Sequence, residues 1–548
     1  MFDVRKLLAF TLTAAALAQA PIQVTTRLVQ VAVVVRDKRG AVADLTKSDF
    51  EILDKGKSRH IATFSVARAS DRVPRASLPP NTFSNRLDRQ SDSPIAATVL
   101  LFDSLNTKFK DQADARRQVL GFLKVLDPES PIAIYALGNN LRIVHDFTQD
   151  QASLTGALER YRNSTSTQLA NSQPEPTADI LPTPTLPGPL NPNLPDNVDL
   201  VAQILQPLQE FSVDRRVAIT LSAMHAISNG MAGVPGRKNL IWISGAFPLS
   251  LGFDRGGLSG AGQRLNTYAG PMKEAAMAID HANVAVYPVD ARGLLVSNAV
   301  RTEMPALRNQ TGLGQSSNMP TPEDMAGTRE VETMQLLADW TGGKAVYNSN
   351  DIRRAVKQAL EDAEVTYTLG FYAEEKDLDG SYRELKVKVA PKGTDVRYRK
   401  GYFATPLTAV DSQPAVNTLK NALLSPADAT GMGLTAWLTP DPAPAGSFIL
   451  ALGMDMQNLS LAAKNNRWAD MLSFVIAQQG ANGTVLDAIQ NSIKIDVTDE
   501  NREKLLKDGL VLSVAITPAP GMSQIRVAVM DQATGNVGSL RIKPPVKP

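Results

Sequence analysis

The sequence predicts a multidomain protein of α/β plus all-β type, in which a doubly wound, mostly parallel sheet is flanked by β-sandwich modules. Between residues 95 and 363, short apolar runs alternate with helix-like segments, which is typical of a parallel sheet covered on both faces. On either side of this stretch, apolar and polar residues alternate between turn sequences, which is typical of antiparallel strands. A chain of 548 residues is also too long for one core.

The N-terminus has the features of an export signal. Arg5 and Lys6 precede an apolar stretch that ends in the small residues Ala16 and Ala18. The apolar part is shorter than the roughly 20 residues that span a membrane. We therefore expect residues 1–20 to be a signal peptide, and the mature chain to be exported to a bacterial periplasm, cell envelope or the exterior without a transmembrane span. The alternative is that this segment is a short N-terminal membrane anchor.

The composition excludes several classes of function. The chain has no cysteine, which removes disulfides, thiol catalysis and thiolate metal sites. Its formal net charge is +2, with no concentrated basic face, so nucleic acid is not an expected partner. A cysteine-free exported chain that is stabilised by packing alone fits a bacterial envelope.

The N-terminal β segment, residues 22–67, contains the turn sequences "DKRG" and "DKGK". So short a segment cannot bury a core of its own, and we predict that it shares a β-sandwich with residues 365–403. Residues 68–94 are polar and are predicted to be a linker. Towards the other end, residues 364–404 are predicted strands, and residues 405–548 form a further β-sandwich-like domain.

The α/β domain is predicted to cover residues 95–363, with a Pro-rich insertion at 163–211. Three of its strands end at polar residues: "IAATVLLFD" at Asp103, "RKNLIWIS" at Ser244 and "NVAVYPVD" at Asp290. In open parallel sheets, ligands bind beyond the carboxyl ends of the strands, where the strand order reverses. The sequence therefore predicts a ligand-binding edge near these residues, shaped by the loops at 246–266 and 296–328.

Several segments together resemble one known family. They are "VVVRDKRGAVADLTKSDFEILDKGK", "LLFDSLNT", "GRKNLIWISGAFP", "ANVAVYPVDARGL", "LADWTGGKAVYNSNDI", "YTLGFY" and "RYRKGYF". In these the chain resembles the VWFA-related domain proteins found in Acidobacteria, over roughly residues 22–403. The resemblance implies a von Willebrand factor type A fold and a role in adhesion or scaffolding, without catalysis.

The same resemblance implies a metal-ion-dependent adhesion site, which is degenerate in this chain. The family pattern is D-x-S-x-S after the first strand, a threonine from a second loop and an aspartate from a third. Asp103 and Thr107 match the first and last positions of that pattern, and Thr220 matches the threonine. Leu105 stands where the first serine is expected, and Ser244 stands where the third-loop aspartate is expected. The implied ion is Mg²⁺ or Ca²⁺, which prefer oxygen ligands.

The other polar residues of this edge leave two alternatives open. Ser104, Asn106 or a water molecule could replace the lost ligands, and Asp290 could line the edge unless it pairs with Arg292 or Arg301. Alternatively, Asp103 binds no metal and only caps the loop that follows it.

The sequence thus predicts an exported, non-enzymatic adhesion or interaction protein that binds a protein or an extracellular polymer through this degenerate site. A second hypothesis is a structural envelope scaffold with no metal site. A third, a hydrolase, has less support, because Ser244 lacks the flanking glycine of a nucleophile elbow.

Overall fold

The computed structural model combines a central α/β unit with two antiparallel β-sandwiches, which confirms the prediction of α/β plus all-β parts at that level. The predicted signal peptide and most of the Pro-rich insertion lie outside the described residues, as do most of the two loops at 246–266 and 296–328. The structure describes residues 27–69, 78–86, 96–126, 128, 130–162, 197–234, 236–247, 275–293, 322–404, 412–441, 446–457, 459, 461–464 and 467–543.

The first sandwich is built from two distant parts of the chain. Its sheets have the orders β14-β1-β12-β5, with β2 against β1, and β15-β13-β3-β4. Short helical turns at Lys47–Asp49 and Glu375–Asp377 connect some of its strands. The strands are β1 (Arg27–Asp37), β2 (Gly40–Ala41), β3 (Phe50–Asp54), β4 (Lys57–Arg59), β5 (Thr63–Arg68), β12 (Val365–Ala373), β13 (Tyr382–Val389), β14 (Asp395–Arg397) and β15 (Gly401–Phe403).

Alternating apolar residues of β1 and β12, including Val31, Val33 and Leu369, are fully buried between the two sheets of this sandwich. Strand β5 pairs directly with β12, although the α/β unit separates them in the sequence. The α/β unit is therefore inserted between two neighbouring strands of the first sandwich.

The α/β unit has a five-stranded sheet with the order β11-β10-β7-β8-β9. Its first four strands are parallel and β9 is antiparallel, so the sheet is mostly but not wholly parallel. The strands are β7 (Ala97–Asp103), β8 (Ile132–Leu137), β9 (Leu141–Thr148), β10 (Lys238–Ser244) and β11 (Val284–Asp290). The helices are α1 (Phe109–Leu123), α2 (Gln151–Arg160), α3 (Asn197–Met231), α4 (275–282), α5 (Pro322–Thr341) and α6 (Ile352–Glu361).

Helices cover both faces of this sheet, which explains why its central strands are continuous apolar runs. Alternate residues such as Leu101 and Trp242 pack against α3, α4 and α5, whereas Leu100 and Ile241 pack against α1, α2 and α6. The chain runs from β7 to β8 on one side, and later returns to β10 on the other side of β7. The strand order therefore reverses between β7 and β10, which is where open α/β sheets bind ligands.

The second sandwich contains the sheets β21-β17-β16-β6 and β18-β19-β22-β23, with β20 against β19. Its interior is apolar and includes Leu434, Leu450, Leu452 and Val527. Its elements are β6 (Thr82–Ser84), α7 (Ser412–Leu424), β16 (Leu434–Pro440), β17 (Phe448–Met454), β18 (Ala462–Lys464), β19 (Arg467–Gln479), β20 (Val485–Val497), α8 (Asp499–Asp508), β21 (Leu510–Ile516), β22 (Gln524–Asp531) and β23 (Val537–Ile542).

Three segments differ from the sequence prediction. The predicted linker at 68–94 contributes β6, a three-residue strand that pairs with β16 of the second sandwich. Helix α3 begins at Asn197, inside the predicted insertion at 163–211, because the Pro-rich composition ends before it and apolar residues at helical spacing continue past Pro207. Helix α5 begins at Pro322, inside the loop expected at 296–328, since proline suits the first position of a helix.

No helix in the described part of the chain has an apolar stretch long enough to cross a membrane.

Candidate functional site

The loop that follows β7 lies at the switch point of the sheet, and its residues 104–107 are buried. Ser104 donates a hydrogen bond from Oγ to the backbone oxygen of Leu137, and the backbone nitrogen of Leu105 donates to the same oxygen. The loop is therefore bound to the end of β8. The side chain of Leu105, at the position of an expected metal ligand, belongs to the apolar core instead.

The Asp103 carboxylate is the centre of a polar network. Its Oδ1 accepts a hydrogen bond from the backbone nitrogen of Asn106 at 3.0 Å. Its Oδ2 accepts from Asn106 Nδ2 at 2.8 Å, Trp242 Nε1 at 3.0 Å and Ser244 Oγ at 2.8 Å. Burial raises the pKa of Asp103, and the hydrogen bonds from Asn106, Trp242 and Ser244 oppose that rise. The bond to the backbone of Asn106 is the one that a carboxylate capping its own loop would make.

The two threonines of the predicted site have different partners. Thr220, on α3, is completely buried, and its Oγ1 accepts a hydrogen bond from Asn106 Nδ2 at 3.2 Å. Thr107 Oγ1 accepts from the backbone nitrogen of Gly245 at 2.8 Å and so joins the loops that follow β7 and β10. Asp103 and Thr220 are therefore brought together through Asn106.

Asp290, at the end of β11, is held by its neighbour. Arg292 donates from Nε to Oδ1 at 2.9 Å and from Nη2 to Oδ2 at 2.8 Å, which is a bidentate ion pair. Its carboxylate is therefore satisfied locally, while Arg301, the other possible partner, lies outside the described residues.

The described residues do not fit a divalent cation. Both oxygens of Asp103 already accept hydrogens, and Ser244 donates to Asp103 where an acidic ligand is expected. Within the part of the chain that the structure describes, no three histidine or acidic side chains are grouped closely enough to hold a metal. A cation would have to displace several buried hydrogen bonds, and the side chain of Leu105 has no oxygen to contribute.

Three residues of this region were missed by the sequence reasoning. Arg216 is 4% exposed and donates from Nε to Asn106 Oδ1 at 2.8 Å. It lies four residues before Thr220 on α3, and that spacing, which puts both on one face, could have revealed it. Trp242 lies two residues before Ser244 on β10 and so shares its face of the sheet. Phe109, in the first turn of α1, is 55% exposed beside the buried loop.

Among known proteins, the chain is similar to solved structures of low sequence identity. No protein-family model and no curated protein matches the chain. The similar solved structures include an aerotolerance-related membrane protein from Bacteroides fragilis, with 12% identity over 48% of this chain and 98% of that one and a TM-score of 0.21. BatB from Bacteroides thetaiotaomicron, a conserved hypothetical protein, has 14% identity over 49% and 97% and a TM-score of 0.20.

A third similar structure is proximal thread matrix protein 1 from the mussel byssus, with 9% identity over 50% of this chain and 46% of that one and a TM-score of 0.23. The fold and the site are therefore described from the geometry of this chain's own residues.

Proposed function

We propose that this chain is an exported, non-enzymatic interaction protein that binds a protein or an extracellular polymer at the switch-point edge of its α/β sheet. This is the role that the resemblance to von Willebrand factor type A proteins implies. One observation supports it above the others. The ends of β7 and β10 are joined into a single buried polar network, next to which Phe109 is exposed.

The network gives this edge a rigid base. Asp103 joins the loop after β7 to β10 through Ser244, and Thr107 makes a second link to Gly245. Binding surfaces built on rigid elements lose little entropy when a partner docks. The polar groups serve to hold the loop, and Ser244 is completely buried beneath this edge, which suits a structural role in a binding surface better than nucleophilic attack on a substrate.

Phe109 is the residue that we expect to contact the partner. An aromatic side chain that is 55% exposed on a loop-to-helix junction can bury a large apolar area when a partner covers it. The exposed side chains of Lys108 and Lys110 flank it, so the surface combines an apolar centre with a basic rim.

The test is photo-crosslinking in the cells that naturally produce the protein. A photoreactive phenylalanine analogue is introduced at Phe109 or, as a control, at Val125, which is 81% exposed beyond the opposite end of α1. We expect a discrete adduct from position 109 only. An excess of unlabelled protein should compete it away, and an excess of the Phe109→Ala variant should not.

Equal adducts from both positions, or full competition by the Phe109→Ala variant, would contradict the proposal. A probe at Val511, which is 59% exposed on the second sandwich, distinguishes the scaffold alternative. If adducts form there and not at Phe109, the β-sandwich makes the contacts and the α/β unit acts as a spacer.

A further inference from the structure

We infer that the side-chain amide of Asn106, held by Arg216, takes the place of a divalent cation between Asp103 and Thr220, so that this edge is organised without a metal. The inference concerns the same edge as the proposed function and deepens it. Its test needs no partner, so the two can fail separately.

The first argument is the position of the amide nitrogen. Asn106 Nδ2 lies 2.8 Å from Asp103 Oδ2 and 3.2 Å from Thr220 Oγ1. A Mg²⁺ or Ca²⁺ ion shared by these two oxygens would need both of them at roughly 2.0–2.6 Å. The amide therefore bridges the two oxygens that such an ion would share, and its two hydrogens can serve one oxygen each.

The second argument is that Arg216 fixes the orientation of this amide. Arg216 Nε donates to Asn106 Oδ1 at 2.8 Å. If the amide were reversed, its oxygen would face the Asp103 carboxylate and its nitrogen would face the guanidinium, so both contacts would become repulsive. The buried arginine thus forces the hydrogen-bearing end of Asn106 towards Asp103 and Thr220.

The third argument is charge. A buried carboxylate is costly unless a positive charge or hydrogen-bond donors compensate it. Asp103 is 2% exposed and Arg216 is 4% exposed, and the amide of Asn106 separates their charged groups. Arg216 therefore places a guanidinium in the same buried network, on the far side of the Asn106 amide from Asp103.

Leu105 agrees with this arrangement. It occupies the position of an expected serine ligand, yet it is completely buried and packs in the apolar core with Leu137. Once an amide bridges Asp103 and Thr220, no oxygen is needed at position 105, and a core residue can stand there.

The experiment is thermal unfolding of the full-length protein in chelator, and then with increasing Mg²⁺, Mn²⁺ or Ca²⁺. A ligand that binds only the folded state raises the unfolding temperature in a saturable way. We expect no saturable rise for the natural protein. The double variant Asn106→Ser, Arg216→Met removes the amide and the charge and offers a hydroxyl oxygen, so it should gain a saturable rise of several degrees with Mn²⁺.

The control adds Asp103→Asn to that double variant and should abolish the gain. A folded double variant that gains nothing, judged folded by an unchanged circular dichroism spectrum, would overturn the inference. A saturable rise in the unfolding temperature of the natural protein that Asp103→Asn removes would also overturn the inference. This second measurement is decisive even if the double variant does not fold. The crosslink at Phe109 should also persist in chelator. A crosslink that forms without chelator and disappears in it would contradict the inference, whereas a crosslink that forms under neither condition would count against the proposed function alone.

Discussion

The indole Nε1 of Trp242 donates a hydrogen bond to Oδ2 of Asp103 at 3.0 Å, and both side chains are buried where β10 lies beside β7. The indole ring also packs edge-on against Phe247, with 4.7 Å between the ring centroids. One side chain therefore belongs to the apolar core and to the polar network at the same time. Any change that loosens this tryptophan should affect both the stability of the α/β unit and the order of its binding edge.

Trp242→Phe should destabilise the protein by about 2 kcal/mol, because a buried hydrogen bond to a charged group is worth roughly 1.5–3 kcal/mol. The phenyl ring keeps most of the packing, so the lost donor is the main change. The measurement is the midpoint of urea unfolding. Trp468→Phe is the control, since the indole of Trp468 donates to Asp499 at an exposed position, and it should cost well under half as much. Equal losses of unfolding free energy in the two variants would show that the buried bond to Asp103 stabilises the protein no more than an exposed hydrogen bond does.

The ends of β7 and β10 were accessible to sequence reasoning for a physical reason. A strand buried on both faces is a continuous apolar run, and a polar residue that ends the run marks the edge of the sheet. Asp103 and Ser244 both satisfy this rule and are hydrogen-bonded to each other. In contrast, the spacing of Arg216 and Thr220 puts both on one face of α3, but no local pattern shows that this face meets the loop that carries Asn106.

The second sandwich contains a strand that the sequence alone does not predict. Strand β6 has only three residues, and it exists because β16 offers it hydrogen-bonding partners. Its polar neighbours predict a linker, and the pairing depends on residues about 350 positions away. Strand β20 shows the one-sided apolar alternation only in its second half, where Ile493, Ile495 and Val497 pack against the core, whereas residues 485–492 are exposed.

A buried ion pair joins the α/β unit to the first sandwich, and it yields a second prediction. Asp362 Oδ2 accepts hydrogen bonds from Tyr287 Oη at 2.8 Å and from Arg397 Nη1 at 2.6 Å. Asp362→Asn should cost about 3 kcal/mol, because it breaks a buried ion pair and leaves Arg397 to be compensated by the more exposed Asp395. It should also separate the unfolding of the two units in calorimetry.

The second ion pair of Arg397 provides the control for that prediction. Its other carboxylate, Asp395, is 58% exposed. Asp395→Asn should therefore cost less than about 1 kcal/mol, as exposed pairs do. If both substitutions cost the same, burial does not set the strength of these pairs.

The third prediction concerns the close approach of Gly343 to β11. A Cβ atom at Gly343 would lie 1.9 Å from the backbone oxygen of Val286, and neither backbone can move far inside the sheet. Gly343→Ala should therefore destabilise the protein by about 3 kcal/mol in urea unfolding. Gly121, on α1, has nothing within 4 Å of its added Cβ, and Gly121→Ala should stabilise by about 0.5–1 kcal/mol. If both substitutions change the unfolding free energy in the same direction, this prediction is wrong.

The fourth prediction is a pH dependence that originates in the second sandwich. Burial and the neighbouring carboxylate of Asp531 raise the pKa of Asp470 from 3.8 to about 7. The folded protein then binds a proton at Asp470 more readily than the unfolded chain, so protonation favours folding. The stabilisation of the folded state by this proton is complete below the ordinary pKa of Asp470 and is lost as the pH rises towards about 7.

Asp470→Asn should remove this loss, because the amide stays neutral beside Asp531. Relative to the natural protein, the variant should gain about 1–2 kcal/mol of unfolding free energy between about pH 4 and about pH 8, after allowance for the solvent that reaches Asp470. The measurement is the difference between the two urea unfolding curves at each pH. Asp508→Asn, an exposed substitution on α8, is the control for the removal of one carboxylate from the chain. A flat difference for Asp470→Asn would mean that the two carboxylates do not compete for a proton in the folded protein.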